Sequence, residues 1–145
     1  MRRTIRAVST LAVLVLPLAG MAARAAAATS TAIKRKTVWK KVTGPEAQAN
    51  RWGFVEVTLV VKKTTTTDAS GRKKVTRKIT GAPIPVYPDH TGRSLFISQN
   101  AIPILIGEVL HSQFDPNIDF VSGATYTSEA FTQSLQAALL KAKHV

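Results

Sequence analysis

Between Trp52 and Val61 the chain alternates, with Val55, Val57, Leu59 and Val61 on one face of a predicted strand and Glu56 and Thr58 on the other. A strand with one apolar face needs a second layer to cover it. Two later segments can supply that layer. Ile102, Leu105, Ile106, Val109 and Leu110 recur at helical spacing, in a helix expected from about Ser98 or Asn100 to Ser112 with Pro103 in its first turn. Phe131, Leu135, Ala138, Leu139 and Ala142 form a second stripe, in a helix expected from about Ser128 to Lys143. Glu129 near its start and Lys141 and Lys143 near its end suit the helix dipole. The fold class that follows is α+β: a small single domain, its antiparallel sheet with a hairpin packed against two amphipathic helices.

The remaining strands read less cleanly. Thr37 to Thr43 can form a first strand, closed by Gly44-Pro45. Arg77 to Tyr87 carries apolar Ile79, Ile84 and Val86, but Gly81, Pro83 and Pro85 demote it to an edge or bulged strand. Between these lies 62–76, KKTTTTDASGRKKVT, polar and basic around a turn at Asp68-Ala69-Ser70-Gly71. It is expected as a basic loop insertion, either a long hairpin loop or an extended two-stranded arm. His90, His111 and His144 read as surface residues, and no metal-ligand spacing is present.

Residues 1–28 read as an export signal. Arg2, Arg3 and Arg6 precede a mostly apolar run from Ala7 to Ala19, and Ala25-Ala26-Ala27 or Ala26-Ala27-Ala28 would suit a signal peptidase. The run is short and broken by Ser9, Thr10 and Pro17, which disfavours a permanent span, an uncleaved anchor being the alternative. Residues 29–36 follow as a flexible basic lead, and the domain proper is expected over 37–145. The expected location is therefore extracytoplasmic, secreted or associated with the cell envelope.

The chain has no cysteine, so disulfides, iron–sulfur clusters and CxxCH haem attachment are excluded, as is a lipid-bearing cysteine. Any electrons it carries must reside on an organic cofactor. The formal charge is +12. Four basic residues lie in the leader, leaving sixteen basic against eight acidic residues beyond it, a net of +8. Such a surface favours anionic partners, including an anionic membrane surface. The few aromatic residues do not interleave with the basic runs, so a nucleic-acid stacking platform is not expected.

The chemistry concentrates in Asp119-Phe120-Val121-Ser122-Gly123-Ala124-Thr125-Tyr126-Thr127-Ser128. A small-residue turn and a run of hydroxyls precede a helix, whose N-terminus presents unpaired N–H groups and a positive dipole end. That arrangement suits a phosphate. Gly123 allows the turn and Ala124 keeps it uncrowded. The competing reading is that Thr125 or Thr127 is only an N-cap.

The stretch also resembles the flavinylation motif D-x-x-[ST]-G-A-T of the FMN-binding domain family, with Asp119, Ser122, Gly123, Ala124 and Thr125 at every defined position. The family includes the flavin-bearing C subunit of the sodium-pumping NADH:quinone oxidoreductase, the G subunit of the Rnf complex and small exported proteins. The likeness extends over roughly Arg51 to Lys143. It takes in the Trp52-Gly53-Phe54 entry to a strand and the segment Arg93-Ser94…Ile97-Ser98…Ala101-Ile102-Pro103…Leu105, where Ser98 replaces a common Asn.

The resemblance implies FMN as cofactor, covalently attached through its phosphate to the Thr125 hydroxyl. It implies that Ser122, Gly123 and Ala124 form the phosphate turn, that Thr127 or Ser128 contacts the phosphate, and that Asp119 orders or presents the motif. Tyr126 would pack beside the flavin or in the core. The implied partners are a magnesium-dependent FAD:protein FMN transferase that modifies the chain once, and a membrane-bound redox partner such as a ferric-reductase-like transmembrane protein. The protein then reads as an extracytoplasmic electron-transfer flavoprotein rather than a stand-alone catalyst, no residue being assigned a catalytic role. Two other readings stay open: a non-covalent FMN-binding oxidoreductase, and a basic binding module for anionic envelope polymers or lipids.

Overall fold

A computed structural model describes residues 33–145, so residues 1–28, read above as an export signal, and residues 29–32 of the expected basic lead lie outside the described residues. Five strands, a 3-10 turn and two helices follow in order: β1 (Lys34–Thr43), β2 (Ala47–Gln48), the 3-10 turn (Asn50–Trp52), β3 (Phe54–Val55), β4 (Thr58–Thr67), β5 (Lys73–Gly81), α1 (Gly92–Ser112) and α2 (Thr125–Lys143). The main sheet is antiparallel in the order β1-β4-β5, and β2 and β3 form a second, two-residue ribbon. The class is α+β, with both helices covering one face of the sheet.

The alternating run forms that face. Val55, Val57, Leu59 and Val61 are fully buried, with Ile79 of β5 beside them. Opposite lie Leu105 and Val109 of α1 and Phe131, Leu135, Ala138, Leu139 and Ala142 of α2. Burying side chains of this size stabilises by roughly 1.5–3 kcal/mol each. The run is nevertheless not one strand. Glu56 bridges to Val86, β4 begins only at Thr58, and between them the Val57 N–H donates to the buried Ser134 Oγ of α2 at 2.9 Å. A buried amide outside a ladder needs such a partner, and a small hydroxyl on a packed helix provides it.

The structure corrects several expectations. Lys34–Lys36 are not a lead but the start of β1, paired residue by residue with Thr67, Thr66 and Thr65 of β4. The basic stretch 62–76 is not a loop. It forms the ends of β4 and β5, the extended arm that was the alternative, with β1 paired along β4 as a third strand. A tight turn closes the tip, where Asp68 accepts from the Ser70 and Arg72 backbone N–H groups and pairs with the Arg72 side chain. Bonding to Ser70 above all holds the Asp68 carboxyl below the usual range. β5 ends at Gly81 rather than Tyr87, because Pro83 and Pro85 cannot donate to a ladder. Thr80 is an extra residue opposite Val60 and Val61, the bulge foreseen for this strand.

Both helices start earlier than expected. α1 opens at Gly92 behind a capping box, in which Thr91 Oγ1 accepts from the Ser94 N–H and Ser94 Oγ from the Thr91 N–H. Pro103 therefore falls inside α1, on its exposed side, where it supplies no N–H to the Gln99 carbonyl. The buried stripe of α1 runs Ser94, Ser98, Ala101, Leu105 and Val109, and Leu110 is exposed. Ser98 makes a specific contact, donating to the Pro88 carbonyl at 2.8 Å.

Candidate functional site

The motif folds into a turn and the first residues of α2. Gly123 has φ +81°, the left-handed conformation that favours glycine, and the Ala124 N–H donates to the Val121 carbonyl at 3.0 Å. α2 starts at Thr125, three residues before the expected Ser128. Its N-cap is Ala124, and no side chain caps it. Neither Thr125 nor Thr127 is the N-cap, then, and the first-turn N–H groups have no partner within the helix.

Ser128 takes a structural place. It is fully buried, and its Oγ accepts the Val121 N–H at 3.1 Å across the turn, so it lies away from the ligand-facing side. The hydroxyl run thus divides by helical geometry. Thr125 and Tyr126 are exposed, Thr127 is buried at the base of the site, and Ser128 is spent on holding the turn closed.

A cavity of about 330 Å³ opens beside this turn. That is at the small end of the range usual for cofactor sites. Gly123, Ala124, Thr125, Tyr126 and Thr127 form one wall. Arg93, Ser94 and Ile97 from the first two turns of α1 form the second, and Arg51 and Trp52 of the 3-10 turn with Pro88 form the third. The capping box fixes the first turn of α1, and the Ser98–Pro88 bond ties α1 to the segment that carries Pro88. Asp119 and Ser122 are exposed and lie outside the cavity lining. Tyr126 is half exposed at the cavity wall and is not a core residue.

Charge at the site is one-sided. Among the described residues the only ion pair is Arg72–Asp68, so neither Arg51 nor Arg93 is matched by a carboxylate. Arg51 lies over the Trp52 ring, 4.9 Å from its centroid, which leaves the guanidinium edge available to an anion. Two guanidinium groups and a helix N-terminus around one cavity form a receptor for a phosphate, and Trp52 and Ile97 add the apolar surface that an aromatic ring system needs. The lining residues therefore fit a flavin nucleotide.

Arg51, Trp52, Arg93 and Ser94 complete the site from outside the motif, and no local chemistry in the sequence marks Arg51 as part of it. They lie some thirty to seventy positions before the motif and reach it only through the packing of α1 and the 3-10 turn. The local feature at Arg51 and Trp52 is an Arg-aromatic pair ahead of a glycine, Gly53, which takes φ +124°.

Residues 26–140 match the model of a protein family described as FMN-binding domain. No curated protein matches the chain.

Proposed function

The chain belongs to the FMN-binding domain family and is an FMN-binding flavoprotein; on that premise we propose that FMN is joined by a phosphoester to Thr125, and that the protein carries electrons outside the cytoplasm. The observation that carries this reading is the position of Thr125. It is the exposed first residue of α2, at the wall of a cavity that Arg51 and Arg93 make cationic. A phosphate ester there has the helix N-terminus at its back and two guanidinium groups to neutralise it.

Each neighbour then has a task. Gly123 and the Ser128–Val121 bond set the turn that presents Thr125. Thr127 lines the phosphate end of the cavity, and Trp52 and Ile97 supply the apolar wall. Asp119 and Ser122, exposed outside the cavity, are placed for the enzyme that makes the linkage rather than for the bound cofactor. In that modification the Thr125 oxygen takes the FMN phosphoryl group of FAD, AMP leaves, and the hydroxyl proton is lost to base.

A bound flavin accepts and releases one or two electrons, a capacity that no side chain of this cysteine-free chain provides. A covalent link keeps the cofactor in a small open site from which a freely bound one would be diluted away. The open side faces solvent, as exchange with a membrane-embedded reductase and an external acceptor requires. Acid precipitation of the protein, purified from cells expressing a flavin transferase, tests the linkage. Yellow colour remaining with the precipitate is expected, and colour released to the supernatant would favour non-covalent binding.

A further inference from the structure

The three strands of the main sheet carry eleven Lys and Arg residues and no Asp or Glu. The register shows how they are arranged. Antiparallel neighbours on one rung point to the same face, and alternate rungs point to opposite faces. Val61 pairs with Ile79, and both are buried under the helices. The adjacent rung, Trp39–Lys62–Lys78, therefore points away from the helices. So does the rung Arg35–Thr66–Lys74, and so does Lys41 opposite Val60.

This outer face holds five cations around one aromatic residue. Trp39 is 60% exposed, although a ring of that size is ordinarily at least half covered in a folded domain. Lys62 Nζ sits 5.7 Å from the ring centroid. Arg35, Lys41, Lys74 and Lys78 are exposed and Lys62 is half-buried, and the three strands place no Asp or Glu on this face, Glu56 standing before β4 begins. Solubility alone would be served by mixed charges and a polar residue at position 39.

We infer that the outer face of β1, β4 and β5 docks on a membrane containing anionic phospholipids, with Arg35, Lys41, Lys62, Lys74 and Lys78 against the headgroups and Trp39 seated at the interface. A broad sheet face matches a planar array of phosphates better than it matches a single chain. Trp prefers the boundary between headgroup and hydrocarbon, where its ring is shielded and its N–H stays wet. Juxtaposed Lys and Arg are drawn to anionic lipid within about a Debye length. The inference does not rest on the flavin or on its linkage, since none of these residues lines the cavity.

Co-sedimentation of the full chain with vesicles tests it, residues 1–32 being constant across all variants. Vesicles of phosphatidylcholine with phosphatidylglycerol are compared with phosphatidylcholine alone, at low and at high salt. Stronger, salt-sensitive binding to the mixed vesicles is expected. Lys62→Glu with Lys78→Glu should weaken that binding at least tenfold, and Trp39→Ala several-fold, with the circular dichroism spectrum unchanged. Wild-type tryptophan emission should shift to the blue on adding mixed vesicles, and that shift should vanish in Trp39→Phe, which retains Trp52. Equal binding by wild type and the double reversal would overturn the proposal. So would binding to soluble poly(glycerol phosphate) at least as tight as to the vesicles and indifferent to Trp39, which would make the face a polymer site.

Discussion

Ser128 Oγ accepts the backbone N–H of Val121 at 3.1 Å, so the first turn of α2 is fastened to the residue that opens the Gly123 turn. The bond is buried at Ser128 and spans the stretch that carries Thr125. Ser128→Ala removes the acceptor and leaves a partly buried N–H unpaired, a loss of roughly 1–3 kcal/mol. Urea unfolding should show that loss. Flavin loading should fall as well, because the turn that presents Thr125 loosens.

Gly123→Ala separates conformation from crowding. A Cβ at this position would meet nothing within 4 Å, so only the positive φ opposes it. The expected stability cost is about 1–2 kcal/mol, that of a left-handed alanine. Initial rates of flavinylation should drop more than thermal stability does, since the strain falls on the residue two before Thr125.

Gly44→Ala makes the opposite case. Its φ is ordinary, but a Cβ would overlap the Ser134 backbone carbonyl of α2. Ser134 also receives the Val57 N–H, so the helix cannot shift without breaking a buried bond. A destabilisation of roughly 1–3 kcal/mol or more is expected by urea unfolding, together with lower soluble yield.

Arg51→Ala and Arg93→Ala test the charge of the cavity. Neither arginine has a carboxylate partner among the described residues, so Arg93→Ala should move stability by less than about 0.5 kcal/mol and Arg51→Ala, which also loses its stacking on Trp52, by up to about 1 kcal/mol. A charge-assisted bond to phosphate is worth roughly 1.5–3 kcal/mol, which predicts flavinylation slowed at least tenfold by either change. Single-turnover assays with a flavin transferase and FAD would measure it.

The core was legible because burial imposes its periods on the sequence. Val55 through Val61 kept the alternation of a half-buried strand even though the strand breaks at Val57, since packing governs the pattern and the ladder does not. The start of α1 was hidden for a related reason. Its first two turns bury Ser94 and Ser98, which read as polar, so the apolar stripe begins only at Ala101. The basic stretch 62–76 reads equally as a loop or as strands because Lys and Thr carry no burial signal, and the pairing of β4 with β5 decides for strands. Within the site, the motif around Thr125 was readable as local sequence, whereas Arg51 joins it only through tertiary packing. The division between cavity-facing Thr127 and turn-holding Ser128 depends on where α2 begins, a boundary that shifts by three residues between expectation and structure.

Intact mass of the purified protein, wild type against Thr125→Ala, tests the central claim most directly. Both are produced with an active flavin transferase in the same cell. The account predicts that the wild-type chain gains the mass of one FMN less water and that the mutant gains nothing while folding normally. An unmodified wild-type chain, or a mutant that carries the same added mass, would contradict it.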